Sequence, residues 1–147
     1  MSFSDWERNA WVTAYKTSPK EVGDLLGLAD RDLRDCAVKG LSDDWRLAIA
    51  YNAALQCATA ALAAAGYRAA RESHHFRIIQ SLSLTIAADT GLVTKLDAFR
   101  KKRNIGDYER AGAISRAEAD EMVAMAHDLR QRVEEWLKKK HRALLRK

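Results

Sequence analysis

Arg100, Lys101, Lys102, Arg103 and Asn104 run directly into Gly106, Asp107 and Tyr108. Guanidinium and amide groups this close together are donors that can hold phosphate oxygens. Arginine donates from a rigid planar fork that matches a phosphate, and asparagine adds an amide donor beside it. The apolar residues upstream, Leu92, Leu96 and Phe99, step by four and then three, so they mark the inward face of a helix. The next step of four lands on Arg103. Arg100, Lys101 and Lys102 are therefore expected to point to solvent, while Arg103 stands where the core stripe should continue. A cation there needs a carboxylate, a carbonyl, a phosphate or an open cleft. Asp107 or an acid on the last helix would satisfy it by an ion pair; a phosphate-binding or dimer cleft would satisfy it by function.

The neighbours of Arg103 carry their own alternatives. Asn104 can end the helix, because asparagine tolerates the left-handed conformation. Gly106 supplies the backbone freedom that stops a helix. Asp107 and Tyr108 then fall near enough to face Arg103, with a packed aromatic the ordinary role for Tyr108. His74 and His75 are adjacent, so on a helix they diverge by about 100° and chelate one metal poorly. Either can line a cleft beside the Arg103 helix. His127 faces sideways on the last helix and His141 lies in the basic tail, and neither is expected to be catalytic.

These groups must be positioned by helices, because start and stop signals of helices dominate the chain. Ser4 with Glu7 reads as a capping box opening a short helix through Trp6, Trp11 and Tyr15. Ser18, Pro19 and Glu21 open a second helix, whose face runs through Val22, Leu25, Leu26, Ala29, Leu33 and Cys36 to a stop at Gly40. Ser42 caps a third helix that ends at Gly66 and holds ten alanines between positions 42 and 65. A fourth is expected from about His74 to Ala88, with Phe76, Ile79, Leu82 and Ile86 inward. The Arg103 helix begins near Leu92 and gives out near Gly106. Ser115 with Glu118 caps a long last helix whose seam is Met122, Ala126, Leu129, Val133 and Trp136. No stretch alternates with period two, so no sheet is expected. The predicted fold is all-α: one domain over 1–147, an antiparallel four- to five-helix up-and-down bundle with a short extra N-terminal helix. Its core spans about 18–138 and its basic tail 138–147.

Bulk properties agree with that plan. A chain of 147 residues, 48% hydrophobic and 31% charged, is one ordinary globular domain that buries roughly 70% of its unfolded surface. No uninterrupted apolar run reaches about 18 residues, so no membrane span is expected, and the N-terminus lacks a secretory pattern. Cys36 and Cys57 fall within helical patterns and read as small buried hydrophobes in a reducing cytoplasm. No cysteine or histidine spacing resembles a zinc site, so neither metal nor cofactor is expected. The net charge is +5, with Arg130, Arg132, Lys138, Lys139, Lys140, Arg142, Arg146 and Lys147 crowding the end of the chain. Such a tail attracts phosphate, and it also complements a helix dipole.

Taken in order, several motifs resemble one family. These are Tyr51-Asn-Ala-Ala in the Ala-rich helix, Gly66-Tyr67, His74-His75-Phe76, Arg103-Asn104-x-x-Asp107-Tyr108-Glu109, and Ser115-x-Ala-Glu118-Ala before the terminal helix. The layout over residues 18–138 resembles the HEPN superfamily, the higher eukaryotes and prokaryotes nucleotide-binding domains. The resemblance implies a dimeric helical domain found in toxin–antitoxin pairs or beside minimal nucleotidyltransferases, many of its members being metal-independent ribonucleases. Active members place a histidine four to six residues after the arginine, at the dimer cleft. Here Tyr108, Glu109 and Arg110 occupy those spacings. Tyrosine, with a pKa of about 10, is a poor base for activating a ribose hydroxyl.

Three readings follow. In the first, the chain is a cytoplasmic homodimer binding RNA or nucleotide phosphate, or a nucleotidyltransferase or antitoxin partner. Its cleft is lined by Arg103, Asn104, Asp107 and Tyr108, with His74 and His75 nearby. The second is a metal-independent endoribonuclease in which Arg103 is catalytic. The third is a purely structural interaction module.

Overall fold

A computed structural model describes residues 1–105 and 114–145; the side chains of Asn104 and Ile105 lie outside the described set. The chain is mostly helical. In order, the elements are α1 (Phe3–Arg8), β1 (Val12–Ala14), α2 (Pro19–Asp35), α3 (Asp43–Ala64), β2 (Tyr67–Ala69), α4 (His74–Thr85), α5 (Thr90–Ile105), α6 (Arg116–Lys140) and a final 3-10 turn (Arg142–Leu145).

Helix α3 is the centre. Its alanines leave little side chain on most faces, so α2, α4, α5 and α6 all reach its surface. Ala50, Ala53, Ala54, Ala58, Ala60 and Ala61 are fully buried around Tyr51, Cys57 and Leu62. By length and composition α3 could cross a membrane, which a search for unbroken apolar runs passes over. Yet 67% of its apolar window is buried inside the protein, as a central core helix requires. Both cysteines are buried thiols.

The capping signals place most helix starts. Ser18, Ser42 and Ser115 each accept a hydrogen bond from the backbone N–H three residues on, and Ser115 with Glu118 completes a capping box. Gly66 ends the α3 segment at φ +99°, a conformation that costs glycine nothing. The last-helix seam holds through Val133 and then moves to Leu137, which is fully buried, while Trp136 is half-exposed against His141.

Three expectations about element boundaries and sheet content are also overturned. The first helix is capped by Ser2 with Asp5 rather than Ser4 with Glu7, and it stops at Arg8. Trp11 and Tyr15 therefore lie outside it, because the chain turns at Ala10 (φ +60°) and becomes β1. Contrary to the expected absence of any sheet, β1 pairs antiparallel with β2, with Val12 opposite Ala69 and Ala14 opposite Tyr67. Strands of three residues are too short to show period-two alternation, and their pairing is non-local. Finally, α4 ends at Thr85, short of Ala88, where Ala87 adopts φ +57°.

The two strands clamp the N-terminus to the core. Trp6 and Val12 are buried in the same cluster as the α3 alanines. Phe3 stacks on Tyr67 at 4.8 Å, and the Arg77 guanidinium lies 3.6 Å from the Trp11 ring centroid.

Candidate functional site

Tyr51 is the largest fully buried side chain and sits on α3 among alanines. The small neighbours that let helices approach α3 also let its ring reach the space between α4 and α5. Arg103, on the last described turn of α5, places its guanidinium carbon 5.2 Å from the Tyr51 ring centroid. His75, in the first turn of α4, approaches the same ring at 6.3 Å. A cation over a ring face is held by the ring quadrupole, so the Tyr51 ring is one group that stabilises Arg103 at its core-stripe position.

Acids on the last helix are paired with other cations. Lys102 contacts Glu118 and Lys95 contacts Glu121. Among the described residues no carboxylate forms an ion pair with Arg103. Arg100, expected in solvent, is instead mostly covered: it donates to Asp97 at 2.7 Å and lies 5.7 Å from the Phe76 ring. The reason is local. Asp97 sits one turn earlier on the same helix, and Phe76 on α4 offers Arg100 a ring. Lys101 and Lys102 are exposed as expected.

The electrostatics are those of a cationic recess. Arg100, Arg103, His75 and His74 gather around Tyr51 and Phe76, with Asp97 the acid among the described residues that faces them. Burial pushes the Tyr51 phenol up to about 12, against the opposing pull of Arg103 and Arg100. Its hydroxyl is buried and finds no hydrogen-bond partner among the described residues. Burial, then the charges of Arg103, His74 and Arg100, push the His75 imidazole below its ordinary value. A neutral imidazole at pH 7 can accept a proton. His74 is more exposed, and its Nδ1 lies 3.3 Å from the Ala70 carbonyl. The two rings stand 6.0 Å apart. The segment before them is strained, since Ser73 enters α4 at φ +53° with no side-chain cap.

Of the predicted site residues, Arg103 and His75 therefore meet, and His74 borders them on a diverging face. Asp107, Tyr108 and the Asn104 side chain lie outside the described residues. Sequence reasoning missed Tyr51, Phe76, Asp97 and Arg100 as parts of the site. One signal was present for Tyr51: a phenol within an alanine helix must hide its ring and still place its hydroxyl.

Elsewhere the expected tail chemistry is partly structural. Arg130 donates to both oxygens of Asp30 on α2, at 2.8 and 3.1 Å, and to Glu134 at 2.7 Å. Leu144 and Leu145 of the final turn pack against the core. Among the described residues no group of His, Cys, Asp or Glu converges as metal ligands. No protein family, curated protein or solved structure matches the chain.

Proposed function

We propose that this chain is a HEPN-type domain, an antiparallel helical bundle that binds RNA or nucleotide phosphate at the recess formed by Arg103, Arg100 and His75. The observation that carries the reading is Arg103 itself. It is a half-buried guanidinium seated on a buried ring, in a net-positive recess, with no ion-pair partner among the described residues. Such a group is oriented in advance and has donors left for an anion.

The surroundings support a polynucleotide over a lone anion. Phe76 lies between Arg100 and Arg77, at 5.7 and 5.3 Å from their guanidinium carbons, and Arg77 continues onto Trp11. Alternating rings and cations provide stacking for bases and charge for the backbone. The order of motifs supports a cytoplasmic homodimer working in a toxin–antitoxin or nucleotidyltransferase-associated module.

His75 favours one further reading, a metal-independent endoribonuclease. Its ring is depressed toward the neutral form and shares Tyr51 with Arg103. It would accept the ribose 2′-hydroxyl proton while Arg103 stabilises charge on phosphate, replacing the histidine absent after Arg103.

The deciding experiment measures single-stranded RNA by fluorescence anisotropy across salt concentrations, and by gel for cleavage, both in EDTA. Arg103→Ala should weaken binding and reduce the steepness of the salt dependence by about 0.7, one phosphate contact on a single strand. Cleavage abolished in both Arg103→Ala and His75→Gln would select the ribonuclease reading. RNA binding unchanged in Arg103→Ala, with the fold intact by circular dichroism, would remove both.

A further inference from the structure

A second cavity, of about 230 Å³, lies on the other side of the α4 N-terminus, enclosed by α2, α3, β2 and α4. His74 lines it, while His75 turns to Tyr51. Its floor is apolar: Leu25, Leu62, Ala63 and Ile78. Its charged groups are Glu21 and Arg68; they form no direct ion pair among the described residues, although the charge of Arg68 contributes to lowering the Glu21 pKa.

Glu21 is held in an unusual way. It occupies the third position of α2, where an acid commonly reaches back to close a capping box. Here the carboxylate faces away from that role. One oxygen accepts from the Thr17 hydroxyl and the other from the Tyr15 hydroxyl at 2.6 Å. These two hydrogen bonds, Thr17 foremost, hold its pKa below the usual carboxylate range, so it is an anion at neutral pH. A carboxylate accepts about four hydrogen bonds, and two places remain. Arg68 lies over the opposite partner of the same arrangement, 5.5 Å from the Tyr15 ring centroid. Tyr15 thus touches both charges on the cavity wall, its hydroxyl donating to the anion and its ring lying beside the cation.

We propose that this cavity binds a small zwitterion with an apolar tail, most simply a hydrophobic α-amino acid. Its ammonium meets Glu21, its carboxylate meets Arg68, and its side chain packs on Leu25, Leu62 and Ile78. The volume falls under the roughly 300–1,000 Å³ of drug-sized sites, so the occupant is small. The wall disfavours a nucleobase, because Thr59, a hydroxyl on the α3 side, already donates to the Leu55 carbonyl at 2.7 Å and the remaining wall has few edges to read a base. This site borders the phosphate recess through His74, but Glu21, Arg68 and its apolar floor take no part in that recess.

The test is calorimetric titration of the full chain with L-leucine and L-phenylalanine, beside 3-methylbutylamine and 4-methylpentanoate, which each keep one charge. The amino acids should bind, and each single-charge analogue should bind about tenfold more weakly or worse, the value of one charged hydrogen bond. Arg68→Gln, an exposed position that leaves the fold undisturbed, should bring leucine down to the level of the amine. Glu21→Gln should bring it down to the level of the acid. Absence of binding by both amino acids at millimolar concentration overturns the proposal, as does binding that Arg68→Gln leaves unchanged.

Discussion

The Arg103 guanidinium covers the ring of Tyr51 at 5.2 Å, so a cation from α5 closes over a fully buried phenol from α3. Each solves a problem the other creates. The arginine occupies a core-facing position with no ion-pair partner among the described residues, and the phenol receives a polar neighbour on its face. The pair also fixes the direction in which the remaining guanidinium donors can be used, which is why an anion site is argued from it.

Arg103→Ala should cost little stability, about 0.5–1 kcal/mol for a partly exposed cation–ring contact, while weakening phosphate binding. Arg103→Lys should keep charge but lose the fork geometry, giving intermediate RNA affinity. Chemical denaturation beside anisotropy separates the two effects. A large stability loss with unaltered RNA affinity would make Arg103 structural.

Tyr51→Phe removes a buried hydroxyl that has no partner among the described residues. The expected outcome is unchanged stability or a gain of up to about 1 kcal/mol, because an unsatisfied polar group is lost and the ring is kept. Tyr51→Ala, by contrast, should cost roughly 3–5 kcal/mol through the cavity it leaves. Urea melts of the two variants check both numbers, and a marked loss in Tyr51→Phe would show that the hydroxyl is bonded.

The depressed His75 ring ties folding to pH. The unfolded chain takes up a proton at this histidine near pH 6.5, while the folded chain resists it until lower pH. Stability should therefore fall as pH drops beneath about 6.5 and level off below the folded pKa. His141, also lowered by burial, contributes in the same sense. His75→Gln should flatten part of the slope and His141→Gln the rest, measured as unfolding midpoints between pH 5 and 7; an unaltered slope in His75→Gln would count against its burial beside Arg103.

Ala87 ends the α4 region in the left-handed conformation. There a β-carbon costs roughly 1–2 kcal/mol, part of which glycine returns as lost chain entropy. Ala87→Gly should raise stability by up to about 1 kcal/mol, seen as a higher thermal midpoint. Ala58→Leu, in the packed α3 surface, should instead cost about 1–3 kcal/mol by overfilling.

By itself, the sequence determined the helices and most of their starts. Serine caps, proline in the first turn and apolar steps of three and four are local signals, acting within a turn or two of the backbone they organise. Hence Ser18, Ser42 and Ser115 were legible, as was the need of Arg103 for a partner at a core-stripe position. Other features were decided only by tertiary structure. The β1–β2 pairing joins residues more than fifty positions apart, in strands too short to show a pattern. The N-terminal helix ends where Val12 finds Ala69, and Arg100 leaves solvent because Phe76 comes alongside from another helix. What lies against Arg103 was equally open. Sequence offered a carboxylate, a carbonyl, a phosphate or a cleft, and Asp107 lies outside the described residues. Packing brought the Tyr51 ring to it, because α3, thinned by alanines, let α4 and α5 close on one phenol.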